Sequence, residues 1–203
     1  QTGKGVSDFH TGDRVVSNGN HAEYVVVNQN LCTRIPDNTD IKEASFTVLG
    51  SIALHGLRLS ETSLGSKVVV IGLGIIGQLV CRLAEAQGSE VIGIDPDTKR
   101  TDLSANFYTS VEEANMTNVD SVIITAATSS NEPIEVATKI ARNKAKIVVV
   151  GDIPLNISRN DFYYKELELV VSKSYGPGRY DKQYEILGKD YPIEYVRWTE
   201  NRN

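Results

Sequence analysis

The segment Lys67-Val-Val-Val-Ile-Gly72-Leu-Gly74-Ile-Ile-Gly77-Gln78 constrains this chain more than any other. Val68 to Ile71 is an apolar run without alternation, the pattern of a strand covered on both faces in a parallel sheet. Glycines follow at the spacing G-x-G-x-x-G, and Gln78 to Gln87 then reads as a helix closed by Gly88. Each glycine answers a steric demand. Gly72 permits a tight turn, Gly74 lets the backbone approach a pyrophosphate, and Gly77 lets the helix lie close to the strand. The helix start offers free N–H groups and a positive dipole end to phosphates. Such glycine spacing also recurs by chance in loops. Here it is followed by Glu90 to Asp95, a second strand ending in a carboxylate about 20 residues on, as dinucleotide binding requires.

Asp95 carries the choice of dinucleotide. A carboxylate there accepts hydrogen bonds from the adenosine ribose hydroxyls and repels a 2′-phosphate, so NAD is expected over NADP. Lys99 and Arg100 could neutralise such a phosphate, and Asp95 could instead cap a helix with Pro96 at its first position. The backbone and side chains of Gly72, Leu73, Gly74, Ile75, Ile76, Gly77, Asp95 and Pro96 form the expected cofactor cradle.

Charge and cysteine content exclude several classes. A net charge of -5 lacks the basic face that nucleic acid requires. No apolar run reaches the roughly 18 residues of a membrane span, and the start lacks the layout of a signal peptide. Two cysteines, Cys32 and Cys81, are too few for a disulfide framework or a four-thiolate zinc site, so cytoplasm is the expected compartment. The chain opens at Gln1, has its single methionine at Met116 and stops at Asn203 in a charged aromatic stretch, which predicts a piece of a longer protein.

Residues 1–40 read as β-rich, with strands expected at 12–16, 21–27 and 30–35. A helix is expected over 41–60, begun after Asp40. From Lys67 on, strands and helices alternate: strands at 67–71, 90–95, 106–108, 119–126, 146–151 and 166–172, helices at 78–87, 97–105, 110–116 and 132–142. The expected fold class is therefore α/β, a doubly wound parallel six-stranded Rossmann sheet. In such sheets ligands lie outside the carboxyl ends of the strands, so Thr125, Ala126, Gly151, Asp152 and Ile153 are expected to face the cofactor by their backbone. The plainer reading is that these residues start tight loops.

The order of Gly12-Asp-Arg-Val-Val16, His21-Ala-Glu-Tyr24, Ile35-Pro36, Ala44 to Gly50 and Gly72 to Gly77 with Asp95 resembles the medium-chain dehydrogenase/reductase family. The resemblance implies that residues 1–40 are a partial GroES-like catalytic domain, 41–174 the NAD-binding Rossmann domain, and 175–203 a tail. Ser174-Tyr-Gly-Pro-Gly-Arg-Tyr-Asp181 and Tyr195 to Arg202 resemble a branch of bi-domain oxidoreductases with a second, sugar-type half. The four-cysteine zinc lobe of the zinc alcohol dehydrogenases is absent between Val16 and His21, and Ser51 stands in the segment where they carry a cysteine ligand. A neutral hydroxyl is a poor zinc ligand beside a thiolate, so no metal site is expected.

Ser51 and His55 lie four apart on one helical face, and the resemblance puts that helix beside the nicotinamide. His55 is thus a candidate proton relay, against the alternative of a histidine packed at a domain junction. His10 and His21 read as structural or solvated. Arg179, after Gly176-Pro-Gly178, reads either as a loop arginine or as a partner for a substrate anion. Together these imply an NAD-dependent dehydrogenase or reductase acting on an alcohol or carbonyl, in a homo-oligomer whose partner is a small-molecule substrate such as a sugar derivative. The open alternative is a non-catalytic dinucleotide-binding module.

Overall fold

A computed structural model describes residues 1–104 and 106–203. Along the chain lie β1 (Val15–Ser17), β2 (Cys32–Arg34), α1 (Ile41–Ala44), α2 (Thr47–Leu59), β3 (Lys67–Ile71), α3 (Ile75–Ala86), β4 (Glu90–Ile94), α4 (Thr98–Thr101) and β5 (Phe107–Tyr108). Then follow α5 (Val111–Ala114), β6 (Val119–Ile124), α6 (Glu132–Ile140), β7 (Ala141–Val149), α7 (Arg159–Lys165), β8 (Glu168–Val171) and α8 (Lys182–Glu185). They form two compact units: residues 1–51 with 175–203, and residues 52–174.

The unit 52–174 holds the expected sheet. Its six strands run β5-β4-β3-β6-β7-β8, and every pairing is parallel. The unbroken apolar runs follow from the two packed faces. Val69, Ile71, Ile92, Val122, Ile124 and Ile147 point into one cluster with Ile134, Ala137 and Ile140 of α6. Val68, Val70, Val91, Ile123 and Val148 point into the other with Ala53 and Leu57 of α2 and Val80 and Ala84 of α3. Alternation along a strand decides only which layer a residue joins.

The unit formed by 1–51 and 175–203 is small and polar. Its only sheet among the described residues is β1 paired antiparallel with β2. Tyr184 is fully buried and stacks on Tyr191, with ring centroids 5.7 Å apart. Asn30 donates its side-chain N–H to the Tyr184 carbonyl at 2.9 Å. Arg202 donates to Asp190 and to the carbonyls of Tyr191 and Val196, tying the tail to itself.

Several expected elements differ. The strand at 21–27 is not formed: the segment has no hydrogen-bonded neighbour strand, and Tyr24 and Val26 stand exposed. The helix over 41–60 breaks into α1 and α2, because Ser45 and Thr47 turn their hydroxyls onto the carbonyls of Lys42 and Ala44. The helix expected over 97–105 ends at Thr101, and Ala105 lies outside the described residues. The strand expected at 146–151 begins at Ala141, where it pairs with Val119, and α6 therefore stops at Ile140. No helix among the described residues is long and apolar enough to cross a membrane.

Burial predicts the response to truncation. Ile123→Ala, on the fully buried central strand, should cost about 2–5 kcal/mol of unfolding free energy. Ile75→Ala, at an exposed position, should stay within about 0.5 kcal/mol. Urea titration of both variants by circular dichroism checks the contrast.

Candidate functional site

The sequence reverses its strand order between β3 and β6, and the crevice at that switch point is built from glycine contacts. Gly72 adopts φ +98°, and a Cβ there would lie 2.6 Å from the Ala126 nitrogen. A Cβ on Gly77 would fall 1.9 Å from the Gly72 carbonyl oxygen. One on Gly151 would fall 1.9 Å from the Ala126 carbonyl oxygen. Thr125 secures the same corner by donating its hydroxyl to the Gly72 carbonyl at 2.5 Å. The backbones of three strand ends thus touch one another directly.

Gly74 differs from these three. Its φ of -65° suits any residue, and a Cβ there would meet nothing within 4 Å. Nothing in the protein therefore requires a glycine at 74, whereas a dinucleotide does. Gly74 is the N-cap of α3 and offers no side chain, so the first N–H groups of that helix face the open space without an intrahelical partner. This is the geometry that a pyrophosphate fills. Ile75 is exposed beside it, Ile76 is half-buried, and Gln78, which the sequence reading passed over, donates its side-chain amide to the Leu73 carbonyl at 2.9 Å.

Asp95 sits buried at the end of β4 and is anchored on three sides. Its Oδ2 accepts from the Leu73 N–H at 2.7 Å and from Arg100 at 3.0 Å, and its Oδ1 accepts from the Asp97 N–H at 2.9 Å. Burial works to raise this carboxyl, but the two backbone donors and the Arg100 guanidinium hold it below the usual carboxylate range. The helix cap that was the alternative reading of Asp95 belongs to Asp97, whose carboxylate accepts from the Lys99 N–H; Pro96 lies exposed before that helix. Arg100 also reaches Asp97 at 3.5 Å, so the cation that could meet a 2′-phosphate is already shared between two carboxylates.

At the neighbouring strand ends, Ala126 donates its N–H to the Ile71 carbonyl, and Gly151 donates to the Ile124 carbonyl at 3.0 Å. Asp152 is exposed and its carbonyl accepts from the Thr128 N–H, while Ile153 is half-buried against the core.

The two weaker candidates have separate settings. Ser51 donates its hydroxyl back to the Thr47 carbonyl at 3.0 Å. His55 is buried, its Nδ1 has no hydrogen-bond partner, and burial followed by the Arg58 charge pushes its pKa below 6.5. Arg179 donates to Glu185 at 2.7 Å and lies over the Tyr180 ring. Among the described residues no three His, Cys, Asp or Glu are grouped to hold a metal, so the donor set does not fit a zinc ion. The Cys81 thiol is pushed up to about 12 by burial, which makes it an inert packed thiol inside α3.

Residues 48–161 match the family model described as D-isomer specific 2-hydroxyacid dehydrogenase, NAD binding domain. The 2-dehydro-3-deoxy-L-galactonate 5-dehydrogenase of Pseudoalteromonas atlantica is 28% identical over 174 residues, which cover 76% of this chain and 49% of that protein. The D-guloside 3-dehydrogenase of Escherichia coli is 35% identical over 108 residues, 51% of this chain and 31% of that one. The chain thus spans about half or less of the length of these curated relatives. Among solved structures, galactitol-1-phosphate dehydrogenase from Escherichia coli superposes with a TM-score of 0.74 at 20% identity, over 96% of this chain and 72% of that one. A protein from Sinorhizobium meliloti 1021 whose structure holds NADP gives 0.63 at 26% identity, over 70% and 47%. The homologues are dehydrogenases and reductases of alcohols and sugar derivatives, as the medium-chain resemblance implied.

Two expected outcomes follow from the geometry. Gly74→Val should retain the circular dichroism and melting of the parent yet lose dinucleotide binding in calorimetric titration, because only the ligand needs that space. Gly77→Ala should lose about 1–3 kcal/mol of stability by overpacking against the Gly72 carbonyl. His55 supplies a third, from electrostatics. Its lowered folded pKa means that the unfolded chain binds the proton more readily, so stability should fall as pH drops below 6.5 and level off under the folded pKa. Urea midpoints at pH 7.5 and 5.5 should differ more in the parent than in His55→Phe.

Proposed function

We propose that this chain, which belongs to the D-isomer specific 2-hydroxyacid dehydrogenase NAD-binding domain family matched over residues 48–161, is the cofactor-holding part of an NAD-dependent oxidoreductase of sugar derivatives. The observation that carries the reading is Gly74: a glycine which the protein's own packing does not require, at the mouth of a helix whose first N–H groups are free. NAD, when bound, supplies a hydride acceptor at C4 of its nicotinamide.

The chain's own share is binding and orientation. The N–H groups at the start of α3 would hold the pyrophosphate. Asp95 would take the adenosine ribose, and the Leu73 N–H fixes the orientation of its carboxylate. Thr125, Ala126, Gly151, Asp152 and Ile153 would line the crevice toward the nicotinamide. His55 is a candidate proton relay and Ser51 a weaker one; burial lowers the His55 pKa and so favours the neutral ring that a proton acceptor needs.

Residues 52–174 then form the cofactor body, and residues 1–51 with 175–203 contribute to substrate recognition, the part that corresponds to the GroES-like remnant and the tail. The relatives' action on a guloside, a xylulose and a galactonate derivative supports a sugar-type substrate. Exposed Tyr24 and Val26 support association with a second copy, in a cytoplasmic protein.

A carboxylate offers about four lone-pair sites, and Leu73, Asp97 and Arg100 take three at Asp95. NAD should therefore gain one hydrogen bond to Asp95, or two if it displaces Arg100. Titration should find NAD binding tighter than NADP. Asp95→Ala should lose about 1.5–3 kcal/mol per bond for NAD, and Arg100→Gln should weaken NADP more than NAD. Equal loss of both cofactors in Arg100→Gln would remove that residue from the choice. In the longer natural protein, NADH formation should accompany oxidation of a polyol or sugar derivative. Tight NAD binding without turnover of any such compound would leave a non-catalytic dinucleotide module.

A further inference from the structure

Gly72 and Leu73, the buried turn between β3 and α3, have partners for all four of their main-chain polar groups. The Gly72 N–H donates to the Ile94 carbonyl at 2.8 Å. Side chains meet the other three, reaching in from the ends of β6 and β4 and from α3. The Gly72 carbonyl accepts from the Thr125 hydroxyl at 2.5 Å, the Leu73 N–H donates to Asp95 at 2.7 Å, and the Leu73 carbonyl accepts from the Gln78 amide at 2.9 Å.

Two of these contacts belong to one rigid plane. The Gly72 carbonyl and the Leu73 N–H are opposite edges of a single peptide unit, so Thr125 holds one edge while Asp95 holds the other. Turning that plane alters ψ of Gly72 and φ of Leu73, and a glycine at φ +98° offers little resistance to the first change. A half-turn would break both bonds and swing the carbonyl toward the Asp95 carboxylate, setting two acceptors against each other. The two bonds therefore stabilise the same orientation.

The surroundings of Thr125 suit this task. Its hydroxyl oxygen also lies 3.3 Å from the Ile71 carbonyl, but it has one proton, and the shorter contact to Gly72 takes it. The Thr125 N–H is fixed on the Ile71 carbonyl at 2.8 Å, which anchors the residue from behind. Gly77 clears the room for the contact, since a Cβ there would stand 2.7 Å from the Thr125 oxygen.

We propose that Thr125 is a positioning residue for the ribose acceptor: through the Gly72–Leu73 peptide, its hydroxyl sets the direction in which the Asp95 carboxylate faces the cofactor. The proposal rests on the dinucleotide reading. It assigns the side chain of Thr125 to the adenosine end of the ligand, while its backbone keeps its place on the crevice wall.

The test compares Thr125→Ala, which removes the hydroxyl without adding bulk, with Thr125→Ser, which restores it, in the isotope-labelled chain. The Leu73 amide resonance, held downfield by its bond to a carboxylate, should move upfield in Thr125→Ala. Its exchange with solvent should quicken by at least about tenfold, with the Val69 and Val122 amides unchanged. Affinity for NAD and for ADP-ribose should fall equally, by roughly three- to tenfold. Thr125→Ser should recover both the resonance and the affinities. In an Asp95→Ala background, Thr125→Ala should change either affinity by less than about twofold, because the group it acts through is gone.

An unmoved Leu73 amide in Thr125→Ala overturns the proposal. So does general loosening, in which Val69 and Val122 exchange as fast as Leu73, or a Thr125→Ser variant that recovers nothing. A loss confined to NAD would put the side chain at the nicotinamide instead, and an undiminished loss in the Asp95→Ala background would show that Thr125 acts by another route. The Leu73 signal is read without cofactor, which keeps the two claims apart. A parent chain that binds neither NAD nor ADP-ribose defeats the dinucleotide reading, and the hold of Thr125 on the peptide then stands or falls on Leu73 alone.

Discussion

Backbone contact between the ends of β3, β6 and β7 is the constraint on which the cofactor crevice depends. Gly72, Gly77 and Gly151 each stand where a single methyl group would run into a neighbouring carbonyl or amide, at 1.9 Å for two of them. Removing those side chains lets α3 start directly beneath the strand ends, and only then do its first N–H groups face a space open to a ligand. The crevice is therefore a consequence of close packing around it. Gly74 is the exception among the glycines, since a Cβ there would meet nothing within 4 Å.

Electrostatics complete what sterics begin. A buried carboxylate at Asp95 is tolerable because two backbone N–H groups and Arg100 surround it. The Leu73 N–H does double service, tying the glycine turn to the end of β4 while it fixes the orientation of the Asp95 carboxylate. In the other unit Arg179 is paired with Glu185 and Arg202 with Asp190.

Much of this was legible in the residues. The glycine spacing, the apolar run before it and the carboxylate after it were read correctly as strand, turn, helix and strand, because local sterics and two-sided burial leave few alternatives for such a pattern. That six strands would lie parallel in one doubly wound sheet followed from the alternation, whereas their order is set by pairings that the linear pattern does not display. The segment 21–27 was misread because β-branched content reports only a preference for extended backbone, while a strand also needs a neighbour that sequence does not display. Asp95 was read first as the carboxylate at the strand end, and the helix cap that stood as its alternative falls to Asp97, two residues on, because the chain turns at Pro96 before the helix begins. The Arg100 pairing and the burial of Glu200 depend on side-chain approach across 5 and 24 or so residues of folded chain, and no linear pattern encodes them.

The strand order of the larger unit has a consequence for how the chain can be assembled. β4 is laid beside β3, and β5 beside β4; β6 then returns to the free side of β3, and β7 and β8 extend outward from it. From β4 onward, each strand meets a neighbour that has already been made. A polypeptide leaving the ribosome N-terminus first can thus grow this sheet without holding an apolar strand in reserve for a later partner, the circumstance that exposes slow parallel sheets to aggregation. The single reversal, at β6, is the one step that must reach back past finished structure. The same reversal opens the crevice, so the one junction that reaches back and the crevice proposed for the cofactor coincide.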